Sequence, residues 1–99
     1  MELIYHQGAL ADVDDAVAFY ERQREGLGRA FHGELERVEA RVVAKPETWP
    51  VVQGRWRRAV FKRFPYSFFY TILPDLIFVA AVAHQRRKPG YWHKRLPGD

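Results

Sequence analysis

The side chains best suited to chemistry lie close together near the C-terminus. His84 precedes the cationic run Arg86-Arg87-Lys88. Because the unperturbed pKa of histidine lies near neutral pH, His84 is a candidate general acid or base. The alternative is a structural histidine that ties the end of a strand to the following segment by hydrogen bonds. The cationic run is either a solvated surface or, with cations from neighbouring elements, a patch that binds phosphate.

Two aromatic residues, Tyr91 and Trp92, follow the cationic run. Aromatic rings beside cations often stack on bases in RNA-binding sites, so both rings are candidates for contact with a nucleic acid. The competing interpretation is packing in the core, and at least one ring is expected there. We predict that Trp92 is inside the fold and that Tyr91 is outside.

Charge is distributed unevenly along the sequence. Residues 1–53 contain 6 Lys and Arg against 10 Asp and Glu, a balance of −4, whereas residues 54–99 contain 10 against 2, a balance of +8. A merely solvated surface would mix the two signs more evenly. The asymmetry therefore indicates a polyanionic partner, either a nucleic acid or a strongly acidic protein.

The composition excludes several classes of site. The chain has no cysteine, which rules out disulfides, thiol nucleophiles and zinc sites built on cysteine. His6, His32 and His93 do not have the spacing of metal ligands, so neither a metal nor a cofactor is expected. The longest apolar stretch, Leu76–Ala83, is too short to span a bilayer, and the N-terminus lacks the pattern of a signal peptide. We expect a cytoplasmic protein with no membrane partner.

The first half of the sequence predicts a short strand and two helices. Glu2–His6 is typical of a strand that Gln7-Gly8 breaks, and Asp12 is the expected N-cap of the first helix. Apolar residues then recur at helical spacing, first at Val13, Ala16, Val17 and Tyr20, and later at Phe31, Leu35, Val38 and Val42. Gly26 suits the left-handed position at a helix end, and Lys45-Pro46 stops the second helix. The polar face of this antiparallel hairpin is expected to carry Glu21, Glu25, Glu34 and Glu36.

The second half predicts three strands and a short helical turn. Residues 46–54 are expected to form a loop, after which Trp56–Arg63 alternates with the period of a strand. Ser67–Leu73 and the apolar run Leu76–Ala83 are further strands, the latter central in its sheet. Residues 89–95 are expected to form one helical turn. The prediction is a single α+β domain over residues 1–99, with order β-α-α-β-β-β and a helical hairpin on one face of a mostly antiparallel twisted sheet.

Three fragments give the sequence a family resemblance. They are Phe64-Pro65-Tyr66 followed by Tyr70, then Ala81-Val82-Ala83-His84, then Arg87-Lys88-Pro89-Gly90-Tyr91-Trp92 with Arg95. Preceded by a helical hairpin, they resemble the RelE/ParE toxin superfamily from about Ala11 to Arg95. The most specific part is the spacing His84-x-x-Arg87-x-Pro89-x-x-Trp92-x-x-Arg95. The resemblance implies a βααβββ fold and a toxin of a type II toxin–antitoxin system that inhibits growth and stabilises plasmids.

The resemblance also implies a set of candidate site residues. RelE-like ribonucleases cleave RNA without a metal, using cationic side chains and a late tyrosine to move protons and to stabilise the phosphorane. Arg58, Arg87 and Tyr91 match these positions, and His84 completes the candidate catalytic set. The cations expected to bind nucleic acid are Lys62, Arg63, Arg86, Lys88 and Arg95. Two positions depart from the ribonuclease pattern, because Val60 and Ser67 stand where those enzymes carry a lysine and an arginine.

Three functions follow from this resemblance. The main hypothesis is ribosome-dependent cleavage of messenger RNA by a metal-independent endoribonuclease. The alternative is a ParE-like inhibitor of DNA gyrase that needs no catalytic residue, and a third interpretation is an inactive toxin-like binding module. In each case the expected stable partner is an acidic antitoxin that folds as it binds, and operator DNA is expected to be bound through that antitoxin.

Overall fold

The computed structural model describes residues 1–88 and 90–97 and places two helices against a five-stranded sheet. The elements are β1 (Glu2–Tyr5), α1 (Gln7–Gln23), α2 (Leu27–Ala44), β2 (Val51–Gln53), β3 (Trp56–Val60), β4 (Tyr66–Ile72) and β5 (Leu76–His84). The strand order is β1-β5-β4-β3-β2. The β1–β5 pair is parallel and the other pairs are antiparallel. The predicted α+β class and order are confirmed.

Two strand predictions need correction. The segment expected to be a loop, residues 46–54, contains the short strand β2, whose three residues are all exposed. The alternation predicted through Arg63 ends at Val60, because the amide of Phe61 donates to the carbonyl of Tyr66 and closes a turn. Lys62 therefore does not continue the row of side chains to which Arg58 belongs.

Helix α1 begins earlier than the sequence indicates. The N-cap is His6, whose Nδ1 accepts a hydrogen bond from the Gly8 amide at 2.9 Å. The prediction that Asp12 caps this helix is wrong, and Gln7-Gly8 forms its first turn instead of breaking the chain. An imidazole nitrogen can do the work of the usual capping oxygen because it too accepts a hydrogen bond from an otherwise unpaired amide. Asp12 lies within the helix and is free to contact β5.

The two helices form the predicted hairpin. Gly26 has φ +87°, the left-handed conformation that glycine adopts without a steric penalty. The carboxylate of Glu21 accepts hydrogen bonds from the amides of Gly26 and Gly28, at 3.0 to 3.2 Å. A Cβ atom on Gly28 would lie 2.7 Å from the carbonyl oxygen of Val17, so glycine at this position lets the helices approach closely.

Glu34 departs from its predicted position on the polar face. Its side chain is buried, and its carboxylate accepts hydrogen bonds from the amides of Lys62 and Arg63. A buried carboxylate is costly unless donors satisfy it, and the turn after β3 supplies them. The contact fixes that turn against α2.

The sheet is buried on both faces over its central strands. The main core lies between the helices and the sheet and includes Phe31, Val38, Val42, Phe68, Tyr70, Ile77 and Val79. A second cluster contains Trp56, Phe78, Ala80, Ala81 and Trp92. Alternation along the strands places it on the face opposite the helices, where Trp92 of the C-terminal segment covers it. Burial on both faces explains why β5 is a continuous apolar run.

The C-terminal segment forms tight turns. The amide of His93 donates to the carbonyl of Gly90 at 3.0 Å, and the amide of Arg95 donates to that of Trp92 at 2.9 Å. These three-residue spacings are those of a 3₁₀-type turn. Pro89, where the predicted helical turn begins, lies outside the described residues. Neither helix of the described chain is long and apolar enough to cross a membrane.

Candidate functional site

The four predicted catalytic residues line a single cavity. Arg58, His84, Arg87 and Tyr91 surround a space of about 290 Å³ on the sheet face opposite the helices. Arg58 comes from β3, His84 ends β5, and the other two come from the segment that follows β5. The fold thus brings together side chains that are up to 33 positions apart in the sequence.

Arg58 is held in place by Ser67. The Nε of Arg58 donates a hydrogen bond to the Oγ of Ser67 at 2.8 Å, and Ser67 is buried on the neighbouring strand β4. Ser67 is one of the departures from the ribonuclease pattern. Here the serine hydroxyl supplies no charge but fixes the direction of a guanidinium that does.

One hydrogen bond and one aromatic contact hold the ring of His84 in place. Its Nδ1 accepts a hydrogen bond from the amide of Arg86 at 3.0 Å, and its ring lies edge-on to that of Tyr66, with centroids 5.2 Å apart. Because Nδ1 is an acceptor, a proton on the neutral ring sits on Nε2. This geometry favours the structural interpretation, in which His84 ties the end of β5 to the next segment.

Tyr91 joins the cavity to the first helix. The guanidinium of Arg87 lies 4.0 Å from the centroid of the Tyr91 ring, a close cation–π contact. The hydroxyl of Tyr91 donates to Oδ2 of Asp12 at 3.2 Å. Burial, and then the charge of Asp12, raise the pKa of Tyr91 to about 12. The prediction that Trp92 is buried is confirmed, whereas Tyr91 is only partly exposed.

Arg95 does not line the cavity. Its guanidinium donates to Oδ2 of Asp12 at 3.0 Å and to the carbonyl of Ala80 at 2.9 Å, and it lies 5.1 Å from the centroid of the Tyr91 ring. Its charge is therefore paired within the fold. Arg58 and Arg87 thus line the same cavity and Arg95 does not.

The remaining predicted cations divide between two places. Lys88 lines the cavity, and Arg86 is exposed beside it. Lys62 and Arg63 lie in the turn before β4, where their amides bind Glu34. Neither belongs to the cavity lining, although both side chains are exposed.

Sequence reasoning missed two residues that organise the site. Asp12 accepts hydrogen bonds from the amide of Val82, the hydroxyl of Tyr91 and the guanidinium of Arg95. From the sequence, Ser67 is only a position that lacks the arginine of the ribonuclease pattern. Both act through contacts between distant parts of the chain, and no local spacing signals such contacts. Within the described residues, no group of His, Asp or Glu side chains is arranged to hold a metal ion.

The fold and the sequence together identify the class of protein. Two helices on a mostly antiparallel sheet, with a cationic cavity at the end of β5, are the features expected of a toxin of the RelE/ParE superfamily. The family of ParE toxins from type II toxin–antitoxin systems, parDE, matches residues 3–89. The chain therefore belongs to the ParE toxin family.

Comparison of structures agrees with this assignment at the level of the fold. The chain is similar to a protein described as a chromosomal ParDE toxin–antitoxin system from P. aeruginosa, with a TM-score of 0.75 and 15% sequence identity. The match covers 85% of this chain and 95% of the other. A comparison with curated protein sequences finds no match.

Proposed function

We propose that this ParE-family toxin inhibits growth by binding DNA gyrase and does no chemistry of its own. The family match supports a toxin of a parDE system. Gyrase inhibition was the alternative hypothesis from the sequence, and it now replaces messenger RNA cleavage as the preferred mechanism. The physical support comes from the state of the functional groups around the cavity.

The observation that carries the proposal is that the Tyr91 hydroxyl and one ring nitrogen of His84 form hydrogen bonds within the fold. The Tyr91 hydroxyl donates to Asp12, and Nδ1 of His84 accepts from the Arg86 amide. A general acid works best when its pKa lies near the working pH, and that of Tyr91 is raised to about 12. These groups stabilise the cavity wall, which suits a surface that binds another macromolecule.

The distribution of cations also favours binding over RNA cleavage. A phosphorane carries two negative charges, and well-placed cations stabilise it by several kcal/mol, on the order of 3 to 4 kcal/mol for a lost donor in other enzymes. The positions of two such cations hold Val60 and Ser67, which carry no charge. Arg95 is already paired with Asp12. The arginines and lysines that the cavity lining offers for RNA cleavage are therefore Arg58, Arg87 and Lys88.

An experiment with matched variants distinguishes the two mechanisms. The chain and its Tyr91→Phe and His84→Asn variants would be induced without antitoxin, while gyrase supercoiling and RNA 5′ ends are measured in parallel. We expect growth arrest and loss of supercoiling for all three, because both substitutions retain most of the ring or hydrogen-bond packing. Cuts at defined codons with unaffected gyrase, abolished by Tyr91→Phe, would overturn the proposal in favour of cleavage.

The proposed neutralising partner is an acidic antitoxin, through which the complex would bind operator DNA. Residues 54–99 carry a balance of +8, which suits an acidic chain. Opposite charges mainly accelerate association, and salt screens them. We expect the association rate with the antitoxin to fall as salt rises, and a rate that does not depend on salt would contradict the electrostatic part of the proposal.

A further inference from the structure

We infer that a groove between α1 and α2 binds a basic amphipathic helix of a partner protein. This hairpin groove encloses about 530 Å³ and is lined by Tyr5 of β1, six residues of Leu10–Glu21 and three of His32–Glu39. It shares no lining residue with the cationic cavity. The inference goes beyond the proposed action on gyrase, and it concerns a partner of opposite charge to the expected antitoxin.

The floor of the hairpin groove is apolar and follows one face of α1. Leu10, Val13 and Val17 recur at helical spacing, and Leu35 joins them from α2. Leu10 remains 52% exposed, although a leucine side chain gains free energy when it leaves water. Apolar side chains of a partner would therefore be stabilised by covering this floor.

Carboxylates form the rim of the hairpin groove. Asp14, Glu21 and Glu39 line it, and the described lining contains no lysine or arginine. The imidazole of the lining, His32, lies 3.8 Å from a further carboxylate, that of Glu36. A cation that enters the hairpin groove thus meets several carboxylates and no resident lysine or arginine.

Two of the carboxylates are available to a ligand. The hydroxyl of Tyr5 donates to Oε2 of Glu39 at 2.5 Å and leaves Oε1 open to a second donor. Burial raises the pKa of Tyr5 above its usual range, so the phenol remains a donor. Asp14 is exposed and has no hydrogen bond or ion pair within residues 1–88 and 90–97. Glu21 contributes less, because amides of the hairpin turn and the nearby Arg29 already interact with it.

The walls of the hairpin groove favour a helix over an extended segment. Both walls are helices whose backbone groups bond internally, so an extended peptide would find no backbone partner there. A helix satisfies its own backbone and packs its side chains between those of two other helices. The groove follows α1 from Leu10 to Glu21, which is about 16 Å at roughly 1.5 Å for each residue. A partner helix of about three turns fills this length.

The charge of the partner helix follows from the rim. Its lysine or arginine side chains would lay their alkyl stems along the floor and place their charges beside Asp14 and Glu39. An acidic helix would bring like charges together, which is unfavourable. The charge of the whole chain acts in the same direction, because residues 1–53 carry a balance of −4 and residues 54–99 one of +8. A basic helix is steered toward the hairpin and away from the cationic cavity.

Synthetic peptides test the inference, with the whole chain as receptor. The probe is a fluorescently labelled peptide of about 15 residues, with leucines at helical spacing on one face and lysines on the other. One control peptide has glutamate in place of every lysine, and a second has the leucines and lysines scrambled. We expect the leucine–lysine peptide to bind with a gain of helical circular dichroism and an affinity that falls as salt rises. Both control peptides should bind about tenfold more weakly or not at all.

Substitutions at exposed positions then locate the site. Asp14→Lys reverses a charge of the rim and should weaken binding of the leucine–lysine peptide about fivefold at low salt. Glu47→Lys, at an exposed position between α2 and β2, is its matched control. Leu10→Ser should weaken binding about fivefold at every salt concentration, because it removes apolar contact but no charge. Its control is Val51→Ser on β2, where the valine is 49% exposed.

Several results would overturn the inference. Binding of the glutamate peptide as tightly as the lysine peptide would assign the hairpin groove to an acidic partner. A dimer that Asp14→Lys or Leu10→Ser dissociates, measured by sedimentation, would assign it to a second copy of this chain. The inference also fails if the leucine–lysine peptide does not bind at low salt, or if the groove variants lose no more affinity than their controls.

Discussion

The guanidinium of Arg95 lies 3.0 Å from the carboxylate of Asp12, and the pair closes an edge that the sheet leaves open. Strand β1 pairs with residues 76–79 of β5 and then ends. Beyond that point the carbonyl of Ala80 accepts from Arg95, and the amide of Val82 donates to Asp12. The two side chains thus satisfy backbone groups that a longer strand would have paired.

Substitution of Asp12 by asparagine should therefore destabilise the fold. The change removes the negative charge beside a guanidinium that is 20% exposed. All three donors bond the same oxygen, Oδ2, and the neutral amide oxygen of asparagine is a weaker acceptor in that place. We expect the free energy of unfolding to fall by about 2 kcal/mol, measured by urea denaturation. Asp14→Asn, at an exposed position on the same helix, should change it by less than about 0.5 kcal/mol. Equal effects of the two substitutions would show that the pair does not stabilise the protein.

Gly8→Ala should destabilise the chain only while Arg95 is present. A Cβ atom on Gly8 would lie 2.6 Å from Cζ of Arg95, so alanine requires the guanidinium to shift from its position beside Asp12. In an Arg95→Ala background the same substitution should stabilise α1 by up to about 1 kcal/mol, the ordinary advantage of alanine over glycine in a helix. A double-mutant cycle measures this coupling.

Gly33→Ala is the control for that experiment. Gly33 also lies within a helix, but the nearest atom to its added Cβ would be a nitrogen of Arg37 at 3.9 Å, an ordinary contact. Alanine there should stabilise the protein by roughly 0.5 to 1 kcal/mol, whether or not Arg95 is present. Additivity of Gly8→Ala with Arg95→Ala would contradict the proposed close approach.

The sequence predicts the elements well because they depend on local patterns. The helical faces with Phe31 and Val38 and the apolar strand that includes Val79 follow from spacing alone, and all three residues are fully buried. The predicted element boundaries are less accurate where a side chain accepts the hydrogen bond of a backbone amide. His6 starts α1 before Asp12, and the Glu34 contact fixes the turn that follows β3. Such contacts join residues that no window of sequence places together.

The same distinction applies to the candidate site, where residue types can be predicted but the contacts of each residue cannot. The family pattern predicts Arg58, Arg87 and Tyr91 as site residues, and the chemistry of histidine adds His84. The fold brings all four to one cavity. Their individual states could not be read in advance, because these states depend on neighbours from other elements. Arg95 has the same charge as Arg58, yet the proximity of Asp12 makes it a structural residue. Residue type predicts what a side chain can do, and its partners determine what it does.

Glu34→Gln tests the buried carboxylate. The substitution leaves one acceptor oxygen, which can take the place of Oε2 and accept from the amides of Lys62 and Arg63, and puts a donor NH₂ group in the place of Oε1, facing the amide of Arg63. Loss of charge-assisted hydrogen bonds in a buried site should lower the free energy of unfolding by about 1 to 3 kcal/mol, measured by thermal or urea denaturation. Glu36→Gln, at an exposed position two residues away, should have little effect. Equal stability of the two variants would show that the turn does not need the charge.

Tyr91 should make the stability of the protein fall at alkaline pH. Ionisation would place a second negative charge beside Asp12 in a partly buried site, so burial and Asp12 raise the pKa from 10.0 to about 12, against the opposing influence of Arg87 and Arg95. The folded chain thus holds this proton more tightly than the unfolded chain does. The stabilisation is complete below pH 10 and is lost as the pH rises from 10 to about 12.

Ultraviolet titration of tyrosinate measures this proton directly, as the difference between the wild-type chain and Tyr91→Phe. The difference should titrate near pH 12 in the native protein and near pH 10 after denaturation. In an Asp12→Asn background the native value should fall, because the negative charge that favours the neutral phenol is gone. Since Tyr66 and Tyr70 also have raised pKa values, subtraction of the single variant isolates the proton on Tyr91. A native difference that titrates near pH 10 would show that Tyr91 does not contact Asp12 in solution. Tyr91 would then not link the cavity to the first helix.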